Sequence, residues 1–474
     1  MFQEDFLWGS ASAAYQIEGG ASIDGKGPSI WDQYSSIPGN TFKDTTGEVA
    51  IDFYHKFEED INLMKEQGLK AYRFSISWPR ILPEGKGKIN EQGLEFYDKV
   101  IDMLIANDVE PLVTLYHWDL PAALQEEYGG WESRQIVDDF VNYSTILFDR
   151  YKDKVQYWVT LNEQNIYTGL GYLYELHPPK VNDYQRFLVT NHHSFLANAK
   201  TIAEFRKIVP NGKIGPSFAY GPEYAKSEHP EDVIATENAA EMLSHLWMDV
   251  YTRGKYPRYF LKMMDKYGYD IPFAPGDDEI LQAGTPDFMG LNYYQTATFQ
   301  RTDREKSEEK QLGNTVQSES TVAMHDDLFA RGVNDHLGTT DWGWTIDPNG
   351  LRVALRRITS RYDLPILITE NGLGAYDTLE EDGSVHDEYR IEYLRQHVKA
   401  IDLAIEDGCE VLGYCTWSFQ DLFSWLNGYA KRYGFVYVDR DEEREKELKR
   451  YKKDSFYWYK QVIESNGQDL DSKK

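Results

Sequence analysis

Two short stretches far apart in the chain each place a glutamate at the end of an apolar, strand-like run. These are Thr160, Leu161, Asn162 and Glu163 after the run 155–161, and Ile368, Thr369, Glu370, Asn371 and Gly372 after the run 365–369. A glutamate taken at random is a solvated surface residue. Position argues otherwise here, because each directly follows a buried strand and has an asparagine beside it that can orient it. Two carboxyls facing each other across a sugar are what glycosidic bond cleavage requires. One must be protonated to release the leaving group, and the other ionised to attack or to activate water.

The elements that must hold these groups can be read from periodicity. Strand-like apolar runs near 6–14, 71–77, 111–116, 155–161, 213–218, 288–294, 366–369 and 411–417 alternate with segments of helical period at 51–67, 91–107, 133–151, 184–208, 351–362 and 389–407. This is the pattern of βα units around a parallel sheet, and about eight strands predict an α/β fold of the (β/α)8 TIM barrel type. No linker rich in Pro, Gly or Ser interrupts the pattern, so one domain is expected over 1–474. The polar segment 301–320 reads as a mobile surface loop, and the mixed-charge run 439–453 as solvated. Barrel enzymes build their sites at the C-terminal ends of the strands. The polar residues gather there: His117, Trp118 and Asp119 after the third strand, Asn162 and Glu163 after the fourth, Asn292 to Tyr294 after the sixth, Glu370 and Asn371 after the seventh, and Trp417 to Asp421 after the eighth.

Composition narrows the function classes. With 474 residues, 41% hydrophobic and 14% aromatic, the chain has ample material for a core and is not a disordered protein. A formal net charge of −28 repels nucleic acid phosphates and anionic membrane surfaces, so neither is an expected partner. No apolar run approaches a membrane span, and the N-terminus has no signal-peptide pattern. The two cysteines, Cys409 and Cys415, form neither a disulfide framework nor a metal or redox motif. A cytoplasmic protein needing no cofactor or metal is expected. Asn142, Tyr143 and Ser144 match a glycosylation sequon that is incidental without export.

An ordered series of motifs runs along nearly the whole chain: Phe6-Leu7-Trp8-Gly9 with Gln16 and Glu18, Tyr72-Arg73-Phe74-Ser75, Leu115-Tyr116-His117-Trp118-Asp119, Thr160-Leu161-Asn162-Glu163, Asn292-Tyr293-Tyr294, and Thr369-Glu370-Asn371-Gly372. On these the sequence resembles the family-1 glycoside hydrolases, which include β-glucosidases and 6-phospho-β-glycosidases. The resemblance implies a retaining mechanism with Glu163 as acid/base and Glu370 as nucleophile. Arg73 and Tyr294 resemble the partners that keep the nucleophile ionised, since a cation or hydroxyl donor favours a carboxylate's charged form. Gln16, His117, Trp118, Asn162, Asn292 and Trp417 resemble the wall that binds the sugar, while Trp344 and Tyr167 are candidates on the aglycone side.

A departure from the family's neutral-sugar members carries the substrate reading. Those members place a glutamate before the tryptophan that is Trp425 here, and this chain has Ser424. A carboxylate there would repel a phosphate on C6, whereas a serine offers a donor. Together with Lys431 and Tyr433, Ser424 resembles the phosphate site of the 6-phospho-β-glycosidases. The expected substrate is a small phosphorylated β-galactoside or β-glucoside, and Trp425 inclines the expectation towards galactoside. A neutral-sugar β-glucosidase or β-galactosidase is the alternative within enzymes, and a catalytically inactive sugar-binding barrel the alternative outside them.

Overall fold

The computed structural model describes residues 2–302 and 327–471, so most of the loop expected at 301–320 lies outside the described residues. Eight parallel strands close into a barrel: β1 (Leu7–Ala11), β2 (Ala71–Ser75), β3 (Glu110–Tyr116), β4 (Tyr157–Asn162), β5 (Lys213–Ala219), β6 (Met289–Tyr293), β7 (Ile366–Asn371) and β8 (Val411–Trp417). Each pairs with its sequence neighbours, and β1 closes the ring on β8 over Leu7–Ala11 against Gly413–Trp417. Outside lie α1 (Phe53–Gln67), α2 (Glu91–Ala106), α3 (Gln135–Tyr151), α4 (Tyr184–Ile208), α5 (Leu246–Arg253), α6 (Pro348–Tyr362), α7 (Glu388–Glu406) and α8 (Asp454–Glu464). The (β/α)8 barrel expected from the alternating pattern is therefore the fold. No helix among the described residues is long and apolar enough to cross a membrane.

The barrel interior changes character along its axis. At its base Ala71, Leu112, Val159, Phe288 and Leu367 form a small apolar cluster of their own, joined by Leu7, Tyr157 and Leu412. Two residues further along, the same inward rows become polar at Arg73, Thr114 and Thr369, and four residues beyond Phe288 stands Asn292, all of them buried. The strand pattern reads apolar throughout because the outward faces are covered by helices. Only the inner row reveals where packing gives way to chemistry.

Strict alternation would not suffice for Glu370 and Asn162. Counting inward from Leu367 by twos, Glu370 would point away from the lumen. Counting from Val159, Asn162 would do the same. In both strands the pairing register shifts just before the residue concerned, between Ile368 and Glu370 on β7 and between Val159 and Asn162 on β4. A bulge of this kind re-aims a side chain at a strand end. The chain after β4 then turns sharply, with Glu163 at φ 49° opening the helix Gln164–Tyr172.

The outer shell is tied to the barrel by hydrogen bonds as well as apolar burial. The phenol of Tyr143 on α3 donates to the carbonyls of Ile76 at 2.9 Å and Leu115 at 3.0 Å, while its ring stacks on Trp78 at 5.0 Å. Tyr143→Phe keeps the ring and deprives two buried carbonyls of their donor. It is expected to cost about 1–3 kcal/mol of stability, measured as a lower urea midpoint at unchanged slope.

Candidate active site

The site is organised around groups whose hydrogen bonds leave them no freedom of orientation. Arg73, fully buried on β2, donates through Nε to Thr114 Oγ1 at 3.0 Å, through Nη2 to Asn162 Oδ1 at 2.7 Å, and through Nη1 to the Thr369 carbonyl at 3.2 Å and Glu370 Oε1 at 2.5 Å. The other oxygen of Glu370 accepts from the Tyr294 phenol at 2.6 Å. Asn292 on β6 accepts through Oδ1 from Ser217 and Thr369, at 2.8 and 2.6 Å, so its amide nitrogen must face the other way. That nitrogen donates to Asn162 Oδ1 at 3.0 Å and to Glu163 Oε1 at 2.9 Å, and it also favours ionisation of Glu370. The structure thus brings together Arg73, Asn162, Glu163, Asn292, Tyr294 and Glu370.

The two carboxyls sit in unequal surroundings. Burial raises both above the ordinary carboxylate range, and for Glu163 the charge of Glu370 adds to it, pushing Glu163 up to about 8. On Glu370 burial is opposed by Arg73, by the Tyr294 hydroxyl and by Asn292. Glu163 receives a single amide and the more distant influence of Arg73. The two charges oppose each other's ionisation, and the donors gathered on Glu370 favour its anionic form over that of Glu163. An unequal pair of carboxyls of this kind can supply the acid and the anion that glycosidic cleavage requires.

Further polar and aromatic side chains adjoin these groups. Asn162 offers its amide nitrogen to His117 Nε2 at 3.0 Å, which assigns the proton to Nδ1, and Nδ1 is buried with no partner. Burial pushes the His117 imidazole well below its ordinary value, so it is neutral. Gln16 donates to the Phe423 carbonyl at 2.7 Å and keeps Oε1 as a buried acceptor with no partner. Trp417 stacks on His117 at 5.7 Å, and the Trp118 indole donates to the Asn162 carbonyl at 2.9 Å. Buried donors and acceptors left over in a native fold point to a ligand that satisfies them.

The segment after β8 supplies a second polar corner. Lys431 is buried, its ammonium makes no hydrogen bond or ion pair, and burial lowers it to about 7. Its surroundings are aromatic rather than anionic: Nζ lies 3.6 Å from the Trp344 ring centre, 5.0 Å from Trp342 and 5.6 Å from Tyr433. Ser424 is also buried, and its hydroxyl acts on the Tyr433 phenol. A Cβ at Gly374 would fall 2.6 Å from Lys431 Cε, so the loop after β7 presses directly on the lysine stem. Trp425, at φ 48°, follows Ser424 and packs on Trp31 at 4.5 Å, Trp118 at 4.7 Å and Tyr15 at 6.0 Å.

Three readings from the sequence change. Tyr167 is core: its hydroxyl bonds Ser194 at 2.8 Å and its ring packs on Tyr116 and Trp131, so it does not face an aglycone. Trp344 covers Lys431 and meets the Tyr294 ring at 5.3 Å, which places it at the boundary of the two corners. The run 439–453 is not wholly solvated, because Arg440, Arg450 and Lys453 are buried ions, the last at 0% exposure. Sequence reasoning missed these, since nothing in a stretch of alternating charges distinguishes the inward members. No group of His, Cys, Asp and Glu among the described residues is arranged to hold a metal ion.

Because the Asn292 amide lowers both carboxyls, its loss has a defined sign. Asn292→Ala is expected to shift the titration of Glu163 upward from about 8, by losing a donor to the carboxylate. Carbon-13 titration of the labelled glutamates, or displacement of the alkaline limb of kcat/KM, would measure it; an unchanged or lower value would contradict this bonding pattern.

Comparisons with known proteins agree with this architecture. The model of glycosyl hydrolase family 1 matches residues 1–468. An aryl-phospho-beta-D-glucosidase, BglC, of Bacillus subtilis is 56% identical over 470 residues, covering 99% of this chain and 98% of that protein. A 6-phospho-beta-glucosidase of Clostridium longisporum is 40% identical, with 99% and 98% covered. Among solved structures, a family 1 β-glucosidase from Thermotoga maritima superposes with a TM-score of 0.89 at 39% identity, covering 99% of each chain. The chain belongs to glycosyl hydrolase family 1 and is a glycoside hydrolase.

Proposed function

We propose that the enzyme hydrolyses 6-phospho-β-glycosides with retention of configuration, taking 6-phospho-β-glucosides in particular. The observation that carries the substrate class is Lys431, a buried ammonium with no hydrogen-bond or ion-pair partner, 5.6 Å from the ring centre of Tyr433, whose phenol the Ser424 hydroxyl meets. Burying a cation without a partner is costly unless a ligand supplies the counter-charge. A phosphate on C6 would do so and would raise the lysine back towards its charged form. The overall charge of −28 repels such a substrate at long range, so recognition depends on this local cation. Relatives named as phospho-β-glucosidases support the glucoside reading.

In the proposed reaction Glu370, ionised and held by Arg73 and Tyr294, attacks the anomeric carbon while Glu163 gives its proton to the departing oxygen. The glycosyl–Glu370 ester is then attacked by water, whose proton returns to Glu163. The products are a hexose 6-phosphate and the aglycone. No step calls for a metal or cofactor. A hexose phosphate is confined by its charge to the compartment where it is made, so we place the enzyme in the cytoplasm.

The 6-phospho-β-galactoside is a second reading, favoured by Trp425. Its indole is fixed by Trp31, Trp118 and Tyr15 directly beside Ser424, where a ring N–H can serve the C4 hydroxyl that distinguishes the two sugars.

The substrate class is tested with 4-nitrophenyl β-glucoside and β-galactoside, each with and without a 6-phosphate. Wild type is expected to prefer the phosphorylated pair. Lys431→Ala is expected to lower kcat/KM on them by roughly 10- to 150-fold, the equivalent of about 1.5–3 kcal/mol, and to leave the neutral pair nearly unchanged. Comparable values for phosphorylated and neutral sugars in wild type would refute the proposal.

Stereochemistry tests the roles. Proton NMR during turnover is expected to show the β-anomer of the sugar phosphate first. Glu370→Gly is expected to be inactive and to form an α-glycosyl azide when azide is supplied with an activated substrate. Initial release of the α-anomer by wild type would end the retaining assignment.

A further inference from the structure

Lys431 and Tyr433 flank Arg432, which belongs to a separate ionic array. Its guanidinium bonds Asp421 at 2.8 Å and the carbonyls of Val438 and Arg440 at 3.0 and 2.5 Å. Asp421 also accepts from the Gly434 amide at 3.0 Å and from Lys453 at 2.6 Å. The Lys453 ammonium, with no exposure at all, reaches Asp377 on its other side. Asp377 and Asp387 close on Arg390, which further holds the carbonyls of Leu373 at 2.9 Å and Arg432 at 3.4 Å.

Three cations and three aspartates therefore form one closed array, and it joins two loops. The loop after β7 contains Leu373, Ala375 and Asp377 and follows directly from Glu370. The loop after β8 contains Asp421, Ser424 and Lys431 to Gly434. They also exchange both backbone hydrogen bonds between Ala375 and Arg432, each 2.9 Å. A buried ionic array is a poor device for stability, because well-packed apolar groups would serve as well or better. Its directional bonds are suited to fixing one geometry, and here the geometry is the separation of the two loops.

We infer that Lys453 is a positioning residue for recognition of the substrate's phosphate. By clamping Asp377 to Asp421 it sets where the Lys431 ammonium and Tyr433 phenol stand relative to Glu370, and so whether a phosphate on C6 and the anomeric carbon are held correctly at once. Lys453 touches neither sugar nor phosphate. The inference rests on reading Ser424, Lys431 and Tyr433 as the phosphate site.

The test uses the full chain with Lys453→Met, Lys453→Arg and the charge-balanced pair Lys453→Met with Asp377→Asn, assayed on 4-nitrophenyl β-D-glucoside 6-phosphate and on its unphosphorylated counterpart. Lys453→Met is expected to raise KM for the phosphorylated substrate about 10-fold or more, with a far smaller change in kcat. The neutral substrate should keep its kcat/KM within about twofold, and Lys453→Arg should recover most of the lost affinity. Should Lys453→Met not fold, the charge-balanced pair, which leaves no single buried charge unpaired, is read by the same ratio. An equal fall on both substrates, or an unaltered KM for the phosphorylated one, overturns the inference. Lys431→Ala separates the two claims. If it too leaves the preference for phosphate intact, the phosphate site has failed; if it abolishes the preference and the Lys453 variants do not, the positioning role alone has failed.

Discussion

The Arg73 guanidinium links four strands of the barrel. It rises from β2, bonds Thr114 on β3 and Asn162 on β4, and reaches both the Thr369 carbonyl and the Glu370 carboxylate on β7. A buried cation must be surrounded by acceptors, and in this barrel those acceptors include the Glu370 carboxylate and the Asn162 amide oxygen. Its charge favours the ionised form of Glu370, and its hold on Asn162 Oδ1 turns that side chain's nitrogen towards His117. The tautomer of His117 and the donor it leaves for a ligand follow from the same contact.

From this constraint the difference between the two glutamates emerges. Both are deeply buried and both are raised by it, yet the donors are unequally distributed. Arg73 and Tyr294 serve Glu370 alone among the two by direct hydrogen bond, while Asn292 stands between them. The proposed mechanism needs one proton on the acid and none on the nucleophile at the same pH. Here the asymmetry is built by placement of donors around two chemically identical side chains.

The second corner works by the opposite logic. Lys431 is left without an anion inside a protein of net charge −28, and three rings surround it. Meanwhile Arg390 on α7, Arg432 in the loop after β8 and Lys453 directly before α8 are paired with aspartates. The contrast between paired and unpaired cations separates residues that hold the loops from the one available to a ligand.

Much of this was legible in the chain itself. Alternating apolar runs and helical periods foretold a barrel, because a parallel sheet covered by helices must be apolar on its outer face along every strand. Glu163, Glu370 and Asn162 drew attention because a polar side chain directly after such a run sits at the mouth of the barrel, Asn292 through the motif Asn292-Tyr293-Tyr294, and Ser424 because it stands where the family resemblance places a carboxylate. Other features were decided only in three dimensions. The register shifts that turn Glu370 and Asn162 inward depend on pairing with strands 55 to 78 residues away by no local rule that the sequence displays. Tyr167 looked like a binding residue and proved to be core, since a helical residue's face is settled by what packs against it. Lys453 and Lys431 are chemically the same. That one is locked between two aspartates and the other stands free among aromatic rings follows from which loops the barrel brings together at its C-terminal end.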